Sequence, residues 1–232
     1  MKLRHQLCAA AAATALAGSA WSATVAVGFT PLTGLVGGAL AGTAVYKADL
    51  SSIGLASILA IQIADNSGGL GGATGQFSGF DLDSIKLSNT DCATAACADG
   101  AAGLALFDFV AGTAFTPGAQ RAPADPKLFG TNGAGTAVDD SVARLGSFDG
   151  ENTTATPDGF ISMGDNGVLS FNLTAAALTS GLFLYIGEVG NNGEVAASSI
   201  TVQDNRSPEP GSLALAGLAL LGLRATRRRA TA

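Results

Sequence analysis

Residues 160–173 read Phe-Ile-Ser-Met-Gly-Asp-Asn-Gly-Val-Leu-Ser-Phe-Asn-Leu, two apolar runs with a turn sequence between them. In the second run Leu169, Phe171 and Leu173 alternate with polar residues, which is the period of a strand with one buried face. The Asp-Asn-Gly sequence is typical of a tight hairpin connection, because Asn and Gly tolerate positive φ. The stretch therefore predicts a β-hairpin and favours an all-β fold.

Short strand-like runs recur on both sides of this hairpin. In residues 58–63, Leu59, Ile61 and Ile63 share one predicted face. Residues 182–186 are apolar on both faces, so we expect a central strand that is covered on both sides. Further strands are predicted at 43–48, 104–110 and 194–202, with another candidate strand at 142–148 and one helical turn at 174–179.

The side-chain parity changes inside one strand-length segment. Phe80 and Leu82 lie at even-numbered positions, whereas Ile85 and Leu87 lie at odd-numbered positions. In a regular strand these two pairs would point to opposite faces. This change predicts a bulge or a bend near Asp83-Ser84. Residues 116–158 contain four of the seven prolines of the chain, which predicts a long loop or insertion. Seven to ten short strands without a fixed internal repeat indicate a β-sandwich-like ectodomain with Gly-rich loops rather than a solenoid.

The C-terminal segment has three parts, and their order is unlike that of a globular core. Pro208-Glu209-Pro210 precedes an uncharged apolar run at 211–223, and a basic cluster of Arg224, Arg227, Arg228 and Arg229 follows it. As a helix the run spans roughly 20 Å, short of a ~30 Å hydrocarbon core, but arginine side chains can snorkel and extend it. The arginines fit a positive-inside stop-transfer cluster. We therefore predict an apolar sorting or transmembrane helix.

These residues resemble the PEP-CTERM family of sorting signals, and the resemblance covers about residues 207–232. It implies a substrate of an exosortase, a membrane-embedded transpeptidase of Gram-negative bacteria that make extracellular polysaccharide. Cleavage is implied near the sorting motif Pro208, Glu209 and Pro210, with the ectodomain released or transferred to the cell surface. Residues 77–83 and 187–197 resemble, more loosely, stretches that recur in PEP-CTERM ectodomains, and they imply no activity.

The N-terminus has the pattern of a secretory signal peptide. Lys2 and Arg4 precede an apolar region at 7–17, and Ala20-Trp21-Ser22 is a small-x-small site for cleavage before Ala23. A retained N-terminal anchor is the alternative. The predicted organisation is a signal helix at 1–22, a secreted ectodomain at 23–206 and the sorting tail at 207–232. It requires the Sec export machinery and transient attachment to the inner membrane before the product reaches the cell surface or medium.

The predicted exported part is strongly acidic. Residues 23–207 contain six basic and 17 acidic residues, a net charge of −11 against −6 for the whole chain. Such a surface does not bind nucleic acid or anionic lipid by charge. It can attract divalent cations, or it can simply keep the protein soluble.

Cysteine and histidine usage limits the chemistry that is available. Cys92 and Cys97 are the two cysteines beyond the signal peptide, and their spacing in an exported protein favours a local disulfide over a metal site or free thiols. The single histidine, His5, lies in the signal peptide. Histidine-based triads and histidine metal sites are therefore excluded after cleavage.

Carboxylates are the remaining functional candidates. Asp81 and Asp83 share one predicted strand face at about 7 Å, a spacing that leaves a glycosidase-like carboxylate pair open. Asp81, Asp83, Asp149 and Glu151 are candidate Ca²⁺ ligands, since a hard cation prefers oxygen, but no stretch fits an EF-hand loop. Solvated turn acids are the alternative. Other oxygen donors are Asp139, Asp140, Asn152, Asp158 and Asp165.

We therefore expect an exported, non-enzymatic surface or extracellular-matrix protein associated with exopolysaccharide in a biofilm, with no cofactor apart from an optional Ca²⁺. A carbohydrate- or Ca²⁺-binding β-sandwich module is the alternative. A carboxylate-dependent glycosidase is a more distant one.

Overall fold

The computed structural model describes residues 23–38, 42–66, 73–150 and 159–205, and they form two antiparallel five-stranded sheets with almost no helix. The first sheet has the order β1 (Thr24–Ala26), β10 (Ser199–Gln203), β4 (Ser57–Ala64), β8 (Val168–Leu178) and β6 (Thr113–Thr116). The second has the order β2 (Thr30–Val36), β3 (Thr43–Asp49), β9 (Phe183–Val189), β5 (Asp81–Ser88) and β7 (Ile161–Ser162). The helices are a 3-10 turn at Gly75–Phe77, α1 (Ala95–Gly100) and α2 (Glu194–Ala197).

One apolar cluster joins the two sheets. Ile61 and Leu169 from the first sheet and Ile85 and Ile186 from the second belong to it, and each is at most 1% exposed. Each such side chain contributes about 1.5–3 kcal/mol through burial. The shared core fixes which faces of the two sheets pack together, because these side chains leave water only when the sheets meet.

The predicted central strand is confirmed. β9 lies in the middle of the second sheet and pairs with β3 on one side and β5 on the other. Leu184 and Ile186 face the shared core, while Tyr185 packs in a second cluster with Val45 and Cys92. Apolar residues of both parities are therefore buried, since both faces of this strand are covered.

The predicted bulge in β5 is also confirmed. The pairing of β5 with β9 changes register between Leu82 and Ile85, at the position where the parity of the apolar residues changes. A similar irregularity in β4 is not evident from the sequence pattern. It lies between Ile58 and Ala60, so that Ile58 is fully buried with Ile61 and Ile63 while Leu59 is only partly buried.

The predicted hairpin at 160–173 is wrong, although both of its arms contain strands. Residues of β7 pair with β5 in the second sheet, whereas β8 pairs with β4 and β6 in the first. The turn thus carries the chain from one sheet to the other. Its contacts are non-local: the Asp165 N–H donates to Ala119 O at 2.8 Å, and Gly118 N–H donates to Met163 O at 2.9 Å.

Four other local predictions fail in whole or in part. Residues 174–178 continue β8 instead of forming a helical turn, and residues 194–197 form α2 before the last strand begins at Ser199. Residues 104–110 and 142–148 form turns and isolated bridges, such as Phe107 with Leu173, rather than strands. Strand-like composition is a weak predictor here, because β-propensity depends on the neighbours that each side chain meets in the folded protein.

The predicted signal helix and C-terminal apolar helix lie outside the described residues. Within the four described ranges, no helix is long and apolar enough to cross a membrane.

Candidate functional site

Asp83 is a buried link between three segments and not an open catalytic group. It is 0% exposed. Its Oδ2 accepts a hydrogen bond from Thr43 Oγ1 on β3 at 2.7 Å, and its Oδ1 accepts one from the backbone N–H of Gly150 at 2.8 Å. Burial raises the pKa of Asp83 to about 7, against the opposing effect of the Thr43 and Gly150 hydrogen bonds. The nearby charge of Asp149 contributes to the increase.

Asp81 has different partners, although it lies only two residues away on β5. Its carboxylate accepts a hydrogen bond from Ser162 Oγ on β7. Its backbone N–H donates to Glu194 Oε2 at 3.2 Å. Burial, followed by the negative charge of Glu194, raises the pKa of Asp81 well above its ordinary value. Both oxygen atoms of Asp83 are occupied elsewhere, so the two carboxyl groups do not work on a common site.

Glu188, at the end of β9, holds the beginning of α2. Its Oε1 accepts backbone N–H groups from Asn192 at 2.8 Å, Gly193 at 2.7 Å and Glu194 at 3.1 Å, and its Oε2 accepts that of Val195 at 3.2 Å. Asn191 and Gly193 have positive φ, which turns successive N–H groups towards one point. Four backbone donors thus converge on the buried side chain of Glu188 and tie the end of β9 to the beginning of α2.

Glu194 completes an acid cluster, by which we mean Asp81, Glu188 and Glu194. Glu194 is 0% exposed, and its Oε1 has no hydrogen-bond partner among the described residues. Burial raises the pKa of Glu194 to about 8, and the charges of Glu188 and Asp65 contribute. Three carboxylates in such a space cannot all be ionised at low cost, so the acid cluster retains a proton near neutral pH.

Charged and phenolic groups surround the acid cluster. Arg121 forms an ion pair with Asp165, with Nη2 and Oδ1 2.7 Å apart, and the hydrogen bond to that carboxylate is the main reason why the pKa of Arg121 is raised. Tyr46 lies beside Glu188, and its burial, the charge of Glu188 and a hydrogen bond to it raise the pKa of Tyr46 to about 12. The cluster is therefore a proton-holding structural network.

The described part of the chain contains no group of three or more His, Cys, Asp or Glu side chains placed to hold a metal ion. Of the three predicted Ca²⁺ ligands that the structure describes, only Asp83 and Asp149 are close enough to influence each other. Asp81 belongs to the acid cluster, and Glu151 lies outside the described residues.

An aromatic cleft opens beside β5. It has a volume of about 310 Å³, and it is lined by Ile85, Lys86, Ala101, Gly103, Leu104, Ala105, Phe107, Phe109 and Gly146. The rings of Phe107 and Phe109 are stacked with centroids 5.3 Å apart and an interplanar angle of 4°. Lys86 Nζ is held by the carbonyl oxygens of Ala98 and Asp99, both at 2.9 Å. The cleft therefore presents half-buried aromatic surface next to an immobilised cation.

A second cavity, of about 390 Å³, lies where the chain crosses from β1 to β2. Its walls are largely apolar and are formed by Val27, Gly28, Phe29, Pro31, Tyr46, Val195 and Ser198. Ser198 Oγ is buried without a hydrogen-bond partner among the described residues. This cavity and the acid cluster share Tyr46, but no carboxylate lines the cavity itself.

Cys92 and Cys97 form a disulfide with their Cα atoms 5.5 Å apart. It closes the loop that leads into α1, where Thr94 Oγ1 caps the helix by accepting the N–H of Cys97 at 3.2 Å. The hydroxyl of Tyr185 accepts the N–H of Cys92 at 2.9 Å and donates to Thr90 O at 2.6 Å. The disulfide loop thus covers the outer face of the second sheet.

Several predicted site residues lie outside the described residues, namely Pro208, Glu209 and Pro210 of the sorting motif and Arg224, Arg227, Arg228 and Arg229 of the basic cluster. Sequence reasoning did not identify Glu188 and Glu194 as structural centres. The signal that could have found them is the Asn-Asn-Gly turn between these two glutamates.

Comparison with known families identifies the tail. The PEP-CTERM protein-sorting motif matches residues 208–229, which confirms the resemblance. The motif implies an exported protein with a membrane-anchored sorting signal that an exosortase processes. No curated protein and no solved structure matches the chain.

Proposed function

We propose that the PEP-CTERM motif delivers a non-enzymatic surface or extracellular-matrix protein, associated with exopolysaccharide in the biofilm of a Gram-negative bacterium. In this proposal residues 1–22 direct Sec export, residues 23–206 form a β-sandwich ectodomain, and residues 207–232 anchor it transiently in the inner membrane. The product then remains at the cell surface or enters the medium. The observation that carries the proposal is the sorting motif at 208–229.

The buried carboxylates support a structural rather than a catalytic role. Asp81 and Asp83 are 7% and 0% exposed, and each accepts hydrogen bonds from neighbouring segments. A glycosidase needs two carboxyl groups that flank an accessible sugar. Neither Asp81 nor Asp83 lines either of the two cavities. Loss of sugar hydrolysis in Asp81→Asn or Asp83→Asn would be the result that favours the enzyme alternative.

The test of the proposal is fractionation of the native host. We expect the unmodified protein in the surface or extracellular fraction, and a variant with Pro208→Ala, Glu209→Ala and Pro210→Ala in the inner-membrane fraction. Ser212→Ala, which lies just beyond the Pro208-Glu209-Pro210 tripeptide, is the matched control and is expected to sort normally. Equal sorting of the motif variant and the control would contradict the proposal.

The association with exopolysaccharide needs a separate comparison. In a strain that cannot make the polysaccharide, we expect the processed protein to leave the cell surface and accumulate in the medium. Retention at the surface of that strain would show that another component holds the protein.

Carbohydrate binding at the aromatic cleft is the second candidate function. The observation that favours it is the stacked pair of Phe107 and Phe109 beside Lys86, because ring surfaces with a nearby polar group are typical of small-ligand sites. Affinity electrophoresis of the exported protein through host exopolysaccharide tests it. We expect Phe109→Ala to lose the retardation and Val110→Ala, a neighbouring residue that is 72% exposed, to keep it. No retardation of the unmodified protein would exclude this candidate.

A further inference from the structure

Ala23 and Asp204 join the two ends of the ectodomain. The backbone N–H of Ala23 donates to Asp204 Oδ1 at 2.9 Å, and the backbone N–H of Asp204 donates to Ala23 O at 3.3 Å. The two residues are 181 positions apart in the chain. Their contact continues the ladder between β1 and β10, in which Thr24 pairs with Gln203. The start and the end of the ectodomain therefore meet at one edge of the first sheet.

Removal of the signal peptide would change the chemistry of this contact. Signal-peptidase cleavage adds water across the Ser22–Ala23 amide bond, which leaves a carboxylate on Ser22 and an α-ammonium group on Ala23. The nitrogen that becomes cationic is the one that donates to Asp204. The hydrogen bond of 2.9 Å from a neutral amide to the carboxylate then becomes an ion pair between an ammonium group and the same carboxylate, with the donor nitrogen already in place.

We propose that Asp204 is the docking group for the new N-terminal ammonium of Ala23, and that this ion pair clasps the ends of the mature ectodomain together. The inference rests on the proposed export, and specifically on cleavage before Ala23. β1 has only three residues and lies at the sheet edge, so few hydrogen bonds hold it to β10. A charge pair at Ala23, the residue just before β1, therefore adds to the few interactions that keep this strand paired.

The clasp also has a consequence for sorting. Asp204 precedes Pro208 by four residues, a length of chain that reaches at most ~14 Å. The chain between the clasp and the sorting motif is therefore short.

The experiment uses the exported protein purified from its bacterial host, with the N-terminal residue identified by mass spectrometry. The N-terminal amine is then labelled with an amine-terminus-selective aldehyde at pH 7 and low ionic strength. An ion-paired ammonium reacts slowly, so we expect Asp204→Asn to be labelled about threefold faster than the unmodified protein. The difference should vanish in 1 M salt because screening removes the benefit of an exposed ion pair.

Asp140→Asn is the matched control, because Asp140 is an exposed carboxylate in a loop. It removes the same charge and should be labelled at the unmodified rate. Asn at position 204 can still accept the Ala23 hydrogen bond, so the fold is retained. Hydrogen exchange provides a second readout: faster exchange in residues 24–26 of Asp204→Asn, with the rest of the first sheet unchanged, supports the clasp.

Equal labelling rates for Asp204→Asn and the unmodified protein would overturn the inference. An N-terminal residue other than Ala23 would do the same. Exosortase processing is read at the other end of the chain, so a protein with Ala23 clasped and its C-terminal tail intact would support the clasp while contradicting the proposed processing.

Discussion

Replacing Asp83 by Asn should remove much of the pH dependence of the free energy of unfolding. The pKa of Asp83 is raised from 3.8 to about 7 because its carboxyl group is buried. The folded protein therefore binds this proton more tightly than the unfolded chain. The resulting stabilisation is fully present below about pH 4 and is lost as pH rises through 7. At about 1.4 kcal/mol for each tenfold change in proton affinity, it is on the order of 4 kcal/mol.

The amide of Asn resembles the neutral acid and cannot titrate. Its Oδ1 can accept the N–H of Gly150, and its Nδ2 can donate to Thr43 Oγ1, so both links that Asp83 makes are retained. We expect Asp83→Asn to match the unmodified protein near pH 4 and to be more stable than it at pH 8.

Urea unfolding of the exported protein, followed by circular dichroism between pH 4 and 9, measures the effect. In Asp83→Asn the free energy of unfolding should still decline as pH rises, but by less than in the unmodified protein. The remaining decline comes from Glu194, whose pKa is also raised, to about 8. Glu194→Gln in the same background should remove part of that remainder. Asp140→Asn is the control and should keep the unmodified profile. Parallel pH profiles for Asp83→Asn and the unmodified protein would refute the assignment of a buried, proton-binding carboxyl group at this position.

Three further changes test other parts of the structure. Tyr185→Phe leaves the buried N–H of Cys92 without its acceptor and should lower the free energy of unfolding by about 1–3 kcal/mol, measured by urea titration. An unchanged urea midpoint would show that the hydrogen bond between Cys92 and Tyr185 does not stabilise the fold. Reduction of the Cys92–Cys97 disulfide should cost about 2 kcal/mol because the loop is short, and Cys97→Ala should reproduce the loss in non-reducing buffer. The calcium alternative is tested by thermal melts in EDTA and at a Ca²⁺ concentration far above the expected Kd. If Asp83 and Asp149 contribute to a site, the Tm should be higher with Ca²⁺. Identical melts would eliminate the calcium alternative.

Local patterns predicted those features of the fold that depend on local periodicity. The parity change between Leu82 and Ile85 located the β5 bulge, and the apolar residues of both parities identified β9 as a strand covered on both faces. The failure at 160–173 has a physical reason. Alternation and turn residues specify two strands and a turn, but the choice of partner strand depends on β4, β5 and β6, which are distant in sequence.

The meeting of Asp81 with Glu188 and Glu194 in the acid cluster could not be predicted, for a related reason. Asp81 and Glu194 are 113 residues apart, and their contact exists only after β5 and α2 are brought together. Spacing along the chain therefore suggests Asp81 and Asp83 as a pair, whereas burial assigns them to separate hydrogen-bond networks. The sorting tail was predictable because its order of residue types, and not its folded surroundings, carries the information.

Intact-mass analysis of the protein exported by its native host tests the central claim, processing at the PEP-CTERM motif, most directly. The account predicts a chain that begins at Ala23 and ends near Pro208, with or without a covalent adduct at the new C-terminus. A mass that extends beyond Leu223, with the apolar run and part of the basic cluster retained, would contradict it.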